Sequence, residues 1–279
     1  MNARSAVRRF AWGSVLPLVI LAVWQVASLR STLVPSVGEV MGVLAHPFRE
    51  PANLDAIPLG RSALISMIRI AAGFGLAVLT GVPVGVLAGR SRGFHEAVTP
   101  ALSAAMVISP VAWLPVTILV FGLASPATWL FGDDAWRYGL LDQLRFAIVA
   151  VIAMGAFFPI ALNTASGVRG VRDAHIEAVR VFGASRAQVL FKVILPAAAP
   201  AILTGLRVGG GIAWRVLVAA EVFPGTRGGL GYMIAAAHSQ AAYEYAFAAI
   251  VIIGGIGLAL DGLLRALSRP VTRWQPKER

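Results

Sequence analysis

The chain has 279 residues, of which 58% are hydrophobic and only 13% charged, whereas a soluble domain carries about 25% charged residues. That leaves too few charges to cover a water-facing surface, so lipid must cover much of it. The formal net charge of +11 does not indicate nucleic-acid binding, because the basic residues lie between long apolar runs and not along one polar face.

Six segments are long and apolar enough to cross a bilayer, which needs about 20 residues. The first, 10–29, follows Arg4, Arg8 and Arg9. It exceeds the apolar core of a secretory signal and no A-x-A cleavage site follows, so it reads as a retained anchor. The second, 64–88, carries Gly73, Gly81, Gly85 and Gly89, small residues that let helices pack closely. The third, 98–123, contains Pro110 and Pro115, and the fourth, 146–165, contains Pro159. Membrane helices tolerate such residues when neighbours re-satisfy the freed backbone groups. The fifth and sixth are 201–223 and 245–267. A soluble helical bundle would need polar stripes, and 149–160 and 250–260 have none. The fold expected is all-α: one polytopic membrane domain spanning 1–279.

The connecting segments set the orientation. Basic residues exceed acidic ones at the N-terminus, around Arg90 and Arg92, over 169–192 and in the C-terminal tail. The segments between are balanced or acidic, with Asp133, Asp134 and Asp142 against Arg137 and Arg145 in one of them. Basic loops stay in the cytoplasm, so six spans with both termini inside are expected.

The segment after the fourth span reads HIEAVRVFGASRAQVLFKVILPAAAPAIL, from His175 to Leu203. It is amphipathic, with Ile176, Val179, Phe182, Val189 and Val193 alternating with Glu177, Arg180, Arg186 and Lys192. A break at Gly183–Ser185 divides it into two short helices: Gly183 permits the turn and Ser185 can cap the second helix. Pro196 is expected to end that helix before the next span. Taken alone, such a basic amphipathic segment could also lie on anionic lipid.

The segment resembles the cytoplasmic coupling loop of ABC importer permeases, whose pattern is E-A-A, three residues, G, nine residues, I-x-L-P. Glu177, Ala178, Gly183, Leu195 and Pro196 fall at matching positions, with Val179 and Val193 as small apolar replacements. VPSVGEV, GAFFPIALNTASGVR and LPAAAPAILTGLRVGGGIAWRVLVAAE resemble the nitrate/sulfonate/taurine branch of that family. The connection around 124–145 is longer than is usual there. The resemblance implies a type I importer permease working with separate ATPase subunits, a second permease copy (a homodimer) and an extracytoplasmic binding protein. It also implies that the 169–197 loop couples ATPase to spans, and it leaves nitrate, taurine, alkanesulfonates and thiamine-precursor-like solutes open. No cofactor is implied.

Polar residues within the spans are costly and usually face a cavity or a partner. Arg69 and Arg207 lie near span ends, where snorkelling to the interface is expected. Arg215 lies deeper, within GIAWRVLVAAE, and either lines the path of an anionic solute or forms a structural ion pair. Glu221 is six residues on and about 240° around the helix, so it does not face Arg215 within the same helix. Trp113 and Asn163 are further candidates for the path, with core packing the alternative for Trp113. His95, His175 and the other histidines form no metal-ligand pattern. There is no cysteine, no phosphate-binding G-x-x-x-x-G-K-[ST] loop and no nucleophile–base constellation, so the chain is expected to catalyse nothing. The rival, an ion-gradient-driven transporter or channel, would more often show internal repeats and paired intramembrane acids.

Overall fold

The computed structural model describes residues 3–272 apart from 32, 52, 123, 133–138 and 224–227, without the side chains of 3–14, 140 and 269–272. Helix α1 (Ala3–Arg30) leads to the short α2 (Val37–Ala45). A capping box fixes the start of α2: Ser36 Oγ accepts from Glu39 N, and Ser36 N donates to the Glu39 carboxylate. Then come α3 (Leu59–Arg90), α4 (Arg92–Val107), a 3₁₀ turn (Pro110–Trp113) and α5 (Leu114–Phe121). The short α6 (Pro126–Phe131) and α7 (Gly139–Asp142) precede α8 (Phe146–Arg169). Helices α9 (Asp173–Val181) and α10 (Arg186–Val189) follow, and a π turn (Leu190–Ile194) joins α10 to α11 (Leu195–Val222). The chain then forms α12 (Leu230–Ser239) and α13 (Tyr243–Thr272).

Among the described residues, five stretches are long and apolar enough to cross a membrane: Leu59–Arg90, Pro110–Phe131, Phe146–Arg169, Arg186–Val222 and Tyr243–Ser268. In α1 the apolar stretch described is the shorter Val15–Arg30. Leu79, Leu119 and Leu258 are each at least three-quarters exposed, as expected of side chains facing lipid.

Helix α8 is the centre of the bundle. The glycine row of α3 lies along it: Gly73, Gly81, Gly85 and Gly89 meet Ile152, Ile160, Thr164 and Val168 in turn. The constant offset makes the two helices parallel. At Gly85 a Cβ would stand 2.6 Å from the carbonyl oxygen of Ala161, so only glycine permits this approach. On its other side α8 meets α11 running antiparallel, with Gly167 against Ala198 and Ala201 and Gly205 against Asn163 and Pro159. Helix α13 runs antiparallel to α11, tied by Trp214 Nε1 donating to the Ile253 carbonyl at 3.2 Å. The starts of α3, α8 and α13 and the end of α11 therefore share one end of the bundle. The α9–α10 pair and the end of α13 share the other.

Several expectations need correction. The third span is not one helix: Ile108 and Ser109 break it, because Pro110 has no N–H to donate and disfavours helical geometry in the residue before it. Pro196 does not end its helix. The backbone passes through the π turn, where Leu195 N bonds to Leu190 O, and runs unbroken from Arg186 to Val222 over 37 residues. That is about 55 Å, far more than the ~30 Å of hydrocarbon, so one end of this helix projects from the membrane. The helix of the second span, α3, begins at Leu59, before the expected 64. The segment between the last two spans contains the helix α12. Arg69 does not snorkel; it is completely buried. Of the longer connection around 124–145, residues 133–138 lie outside the described residues.

Candidate functional site

Three features place charge or exposed apolar groups where a globular core would not. The first is a buried cluster that sequence reasoning missed. Arg69 on α3 and Glu221 on α11 are both 0% exposed, with Nη1 to Oε1 at 2.8 Å. Arg69 also donates to the carbonyls of Gly228 at 2.7 Å and Gln143 at 2.8 Å, and to Gln143 Oε1 at 3.1 Å. Glu221 accepts from Ser66 Oγ and from Gly231 N at 3.0 Å. Ser66 Oγ in turn accepts from Leu230 N at 2.9 Å. The network joins α3, the segment before α8, α11 and the start of α12. Breaking it would leave backbone groups as well as charges unsatisfied.

The second feature is a cleft of about 460 Å³ between α11 and α13, bordered by Arg207, Arg215 and Asp261. Residues 207, 211 and 215 recur at helical spacing, so one face of α11 carries both arginines, about 12 Å apart along the axis. Arg215 is exposed, and Nε bonds only back to the Gly211 carbonyl at 3.1 Å. Among the described residues no carboxylate pairs with it. Arg207 Nε donates to Asp261 Oδ1 at 2.7 Å, and Arg265 Nη2 donates to Asp261 Oδ2. Arginine side chains left open on a membrane-crossing helix face water or a partner and not lipid. Glu221, the alternative partner considered for Arg215, is taken by Arg69.

Asn163 and Trp113 do not line this cleft. Asn163 is half-buried between α8 and α11, and its Nδ2 donates to the Pro159 carbonyl at 2.7 Å. Trp113 sits on the 3₁₀ turn at the break in the third span, and its buried Nε1 has no hydrogen-bond partner among the described residues.

The third feature is the α9–α10 pair. Gly183 has φ +76° and nothing within 4 Å of its missing Cβ. Gly183 N bonds to Arg180 O and Ala184 N to Val179 O, closing α9 with a left-handed turn of the Schellman kind. Ser185 then starts α10 with a capping box to Gln188. Ile176 and Val189 pack with Val168, Ile194 and Ala198, which seats the pair on the ends of α8 and α11. The other side is open: Val181 is 84% exposed and Phe182 90%. Glu177, Ala178 and Pro196 are exposed, and Leu195 is half-buried.

Residues 81–273 match the family described as binding-protein-dependent transport system inner membrane component. The chain belongs to that family. It is therefore the membrane permease subunit of an ABC importer, an inner-membrane component whose ATPase is a separate subunit. A putative ABC transporter permease of Methanocaldococcus jannaschii is 36% identical over 93% of this chain and 90% of its own length. The taurine transport system permease TauC of Escherichia coli is 33% identical over 93% and 87%. Other relatives at 30–34% identity are named for bicarbonate, aliphatic sulfonate and nitrate transport. The solved MetNI methionine ABC transporter aligns with a TM-score of 0.58 at 19% identity over 77% of this chain and 96% of that one, a likeness of fold. The permease fold places the helix pair on α8 and α11 and opens the arginine-bearing face of α11 to the cleft.

Proposed function

We propose that this permease imports a small anionic solute along a path that includes the α11–α13 cleft. The observation that carries this is the pair of arginines, Arg207 and Arg215, on one open face of a membrane helix against a single bordering aspartate. The net positive charge attracts an anion, and the guanidinium forks match oxyanion geometry. The names of the matched relatives, for taurine, sulfonate, nitrate and bicarbonate, support a solute carrying an oxyanion group. Arg215→Ala is expected to lower uptake and binding-protein-stimulated ATP hydrolysis in the reconstituted complex while the complex still assembles. Undiminished uptake and hydrolysis in an intact Arg215→Ala complex would take Arg215 off the path, and a loss of assembly matching the loss of uptake would make its role structural.

The same reading gives the α9–α10 pair the coupling role, with Glu177, Ala178, Gly183, Leu195 and Pro196 in the segment that docks on the ATPase. The open Val181–Phe182 ridge beside charged flanks suits a groove on a soluble partner. Six spans, cytoplasmic termini, a second copy of this chain across the path and an extracytoplasmic binding protein complete the proposal. Its topology has a direct test, because the chain has no native cysteine. Single cysteines at Arg49 and Arg180, both exposed, should react with a membrane-impermeant maleimide from opposite sides of the membrane. Labelling of both from the same side would overturn the topology.

A further inference from the structure

Two ion pairs join different long helices among the described residues, and they differ in one respect. Arg69–Glu221 is sealed at 0% exposure, whereas Arg207–Asp261 is open, with side chains 46% and 36% exposed to the cleft. Arg207 spends only Nε on Asp261. Among the described residues its two Nη groups have no protein acceptor, so half of its fork is unused. Asp261 is shared: one oxygen takes Arg207 across the helix gap, and the other takes Arg265 one turn along its own helix. A carboxylate with two competing cations keeps a partner when it gives one up.

We propose that Asp261 is a resident stand-in for the transported anion: an incoming oxyanion displaces it from Arg207, and Asp261 falls back on Arg265. This rests on the reading that the α11–α13 cleft lies on the solute path, and it makes Arg207 a second anion-binding residue about 12 Å beyond Arg215. The ligand class is a small carboxylate, sulfonate, nitrate or hydrogencarbonate, whose oxygens reproduce the geometry of the Asp261 carboxylate. Displacement removes a side-chain tie between α11 and α13 on the side of the cleft nearer the α9–α10 end, so anion passage and helix separation become one event. Exposure matters here. A solvated pair is exchanged at little cost, whereas a sealed pair such as Arg69–Glu221 is not.

The test uses the purified permease–ATPase complex in nanodiscs, with sodium nitrate as the probe and ionic strength held constant with chloride. The readout is the nitrate concentration that gives half of the anion-dependent rise in melting temperature. Asp261→Asn removes the competitor and should lower that concentration on the order of tenfold. Arg265→Gln removes the fallback partner, ties Asp261 more firmly to Arg207 and should raise it. With Arg207→Gln, neither Asp261→Asn nor Arg265→Gln should shift the nitrate response any longer, because what remains is the binding at Arg215. The two opposite shifts cannot both arise from a general loss of stability, and Arg265 is exposed enough that its variant should fold even if Asp261→Asn does not. An unchanged nitrate response in Arg265→Gln, or Asp261→Asn and Arg265→Gln shifts that persist in the Arg207→Gln background, overturns the proposal. If uptake still falls in Arg215→Ala while these shifts are absent, the path stands and the exchange at Arg207 does not.

Discussion

Replacing Glu221 with leucine is expected to destabilise the permease by about 3–5 kcal/mol, because it leaves the Arg69 guanidinium charged and buried without its counter-ion. Arg69→Met should do similar damage from the other side. The double variant is the informative one. Where a buried pair is worth only the attraction between its members, replacing both with apolar groups is neutral or stabilising. Here Arg69 also holds the Gly228 and Gln143 carbonyls, and Glu221 also holds Gly231 N and the Ser66 hydroxyl. Each group left unsatisfied costs about 1–3 kcal/mol. The Arg69→Met/Glu221→Leu permease should therefore recover only part of the loss. Thermal unfolding of the four purified proteins, followed by size-exclusion recovery, measures this. Wild-type stability in the double variant would show that the cluster is an ion pair and nothing more. Wild-type stability in either single variant would show that the pair is not sealed as its 0% exposure indicates.

That cluster also marks where the sequence stops being legible. The apolar runs of the second, fourth, fifth and sixth spans located α3, α8, α11 and α13 to within several residues, since a lipid-facing helix needs little beyond length and composition. The glycines of α3 were legible for the same reason: a small residue at helical spacing is a packing signal wherever it occurs, and Gly73, Gly81, Gly85 and Gly89 do meet α8. Arg69 and Glu221, by contrast, are 152 residues apart, and nothing local to either says that they meet. Read separately, Arg69 looked like a residue reaching for the interface.

The helix breaks fall between these extremes. Pro110 carried the signal for the irregular Ile108–Ser109 step, and the long apolar run around it masked the signal. Pro196 carried a stop signal that the π turn removed: the wider turn takes the Leu195 N–H to Leu190 O and lets the chain run on. Helix α12 was missed because ten residues are too few for a span. At the cleft, the sequence singled out Arg215 by its depth. It did not find the Arg207–Asp261–Arg265 arrangement, because two of its members sit on a different helix from the third.

Gly183→Val is expected to abolish most transport while the permease still inserts and retains its core. The turn holds Gly183 at φ +76°, which a β-branched residue adopts only as an outlier and at about 1–2 kcal/mol or more of strain. Space is not the difficulty, for nothing lies within 4 Å of the missing Cβ. The penalty is therefore confined to the backbone, and it is relieved by rotating α10 against α9. Such a rotation breaks the Schellman bonds from Gly183 N and Ala184 N and swings the Phe182 ridge away from its set position. The buried side of the pair, Ile176 and Val189, is held by α8 and α11, so the distortion falls on the open side, where the ATPase is proposed to dock. Asparagine tolerates the left-handed region far better than valine, so Gly183→Asn should keep most of the activity. The pair of variants separates a conformational requirement from a simple intolerance of any side chain at this surface. Membrane insertion, co-purification of the ATPase and solute-dependent ATP hydrolysis are measured for both. If valine and asparagine fail alike, the surface and not the turn is what the ATPase reads. If valine transports like wild type, the turn is not needed for coupling, and the role proposed for the α9–α10 pair loses its structural basis.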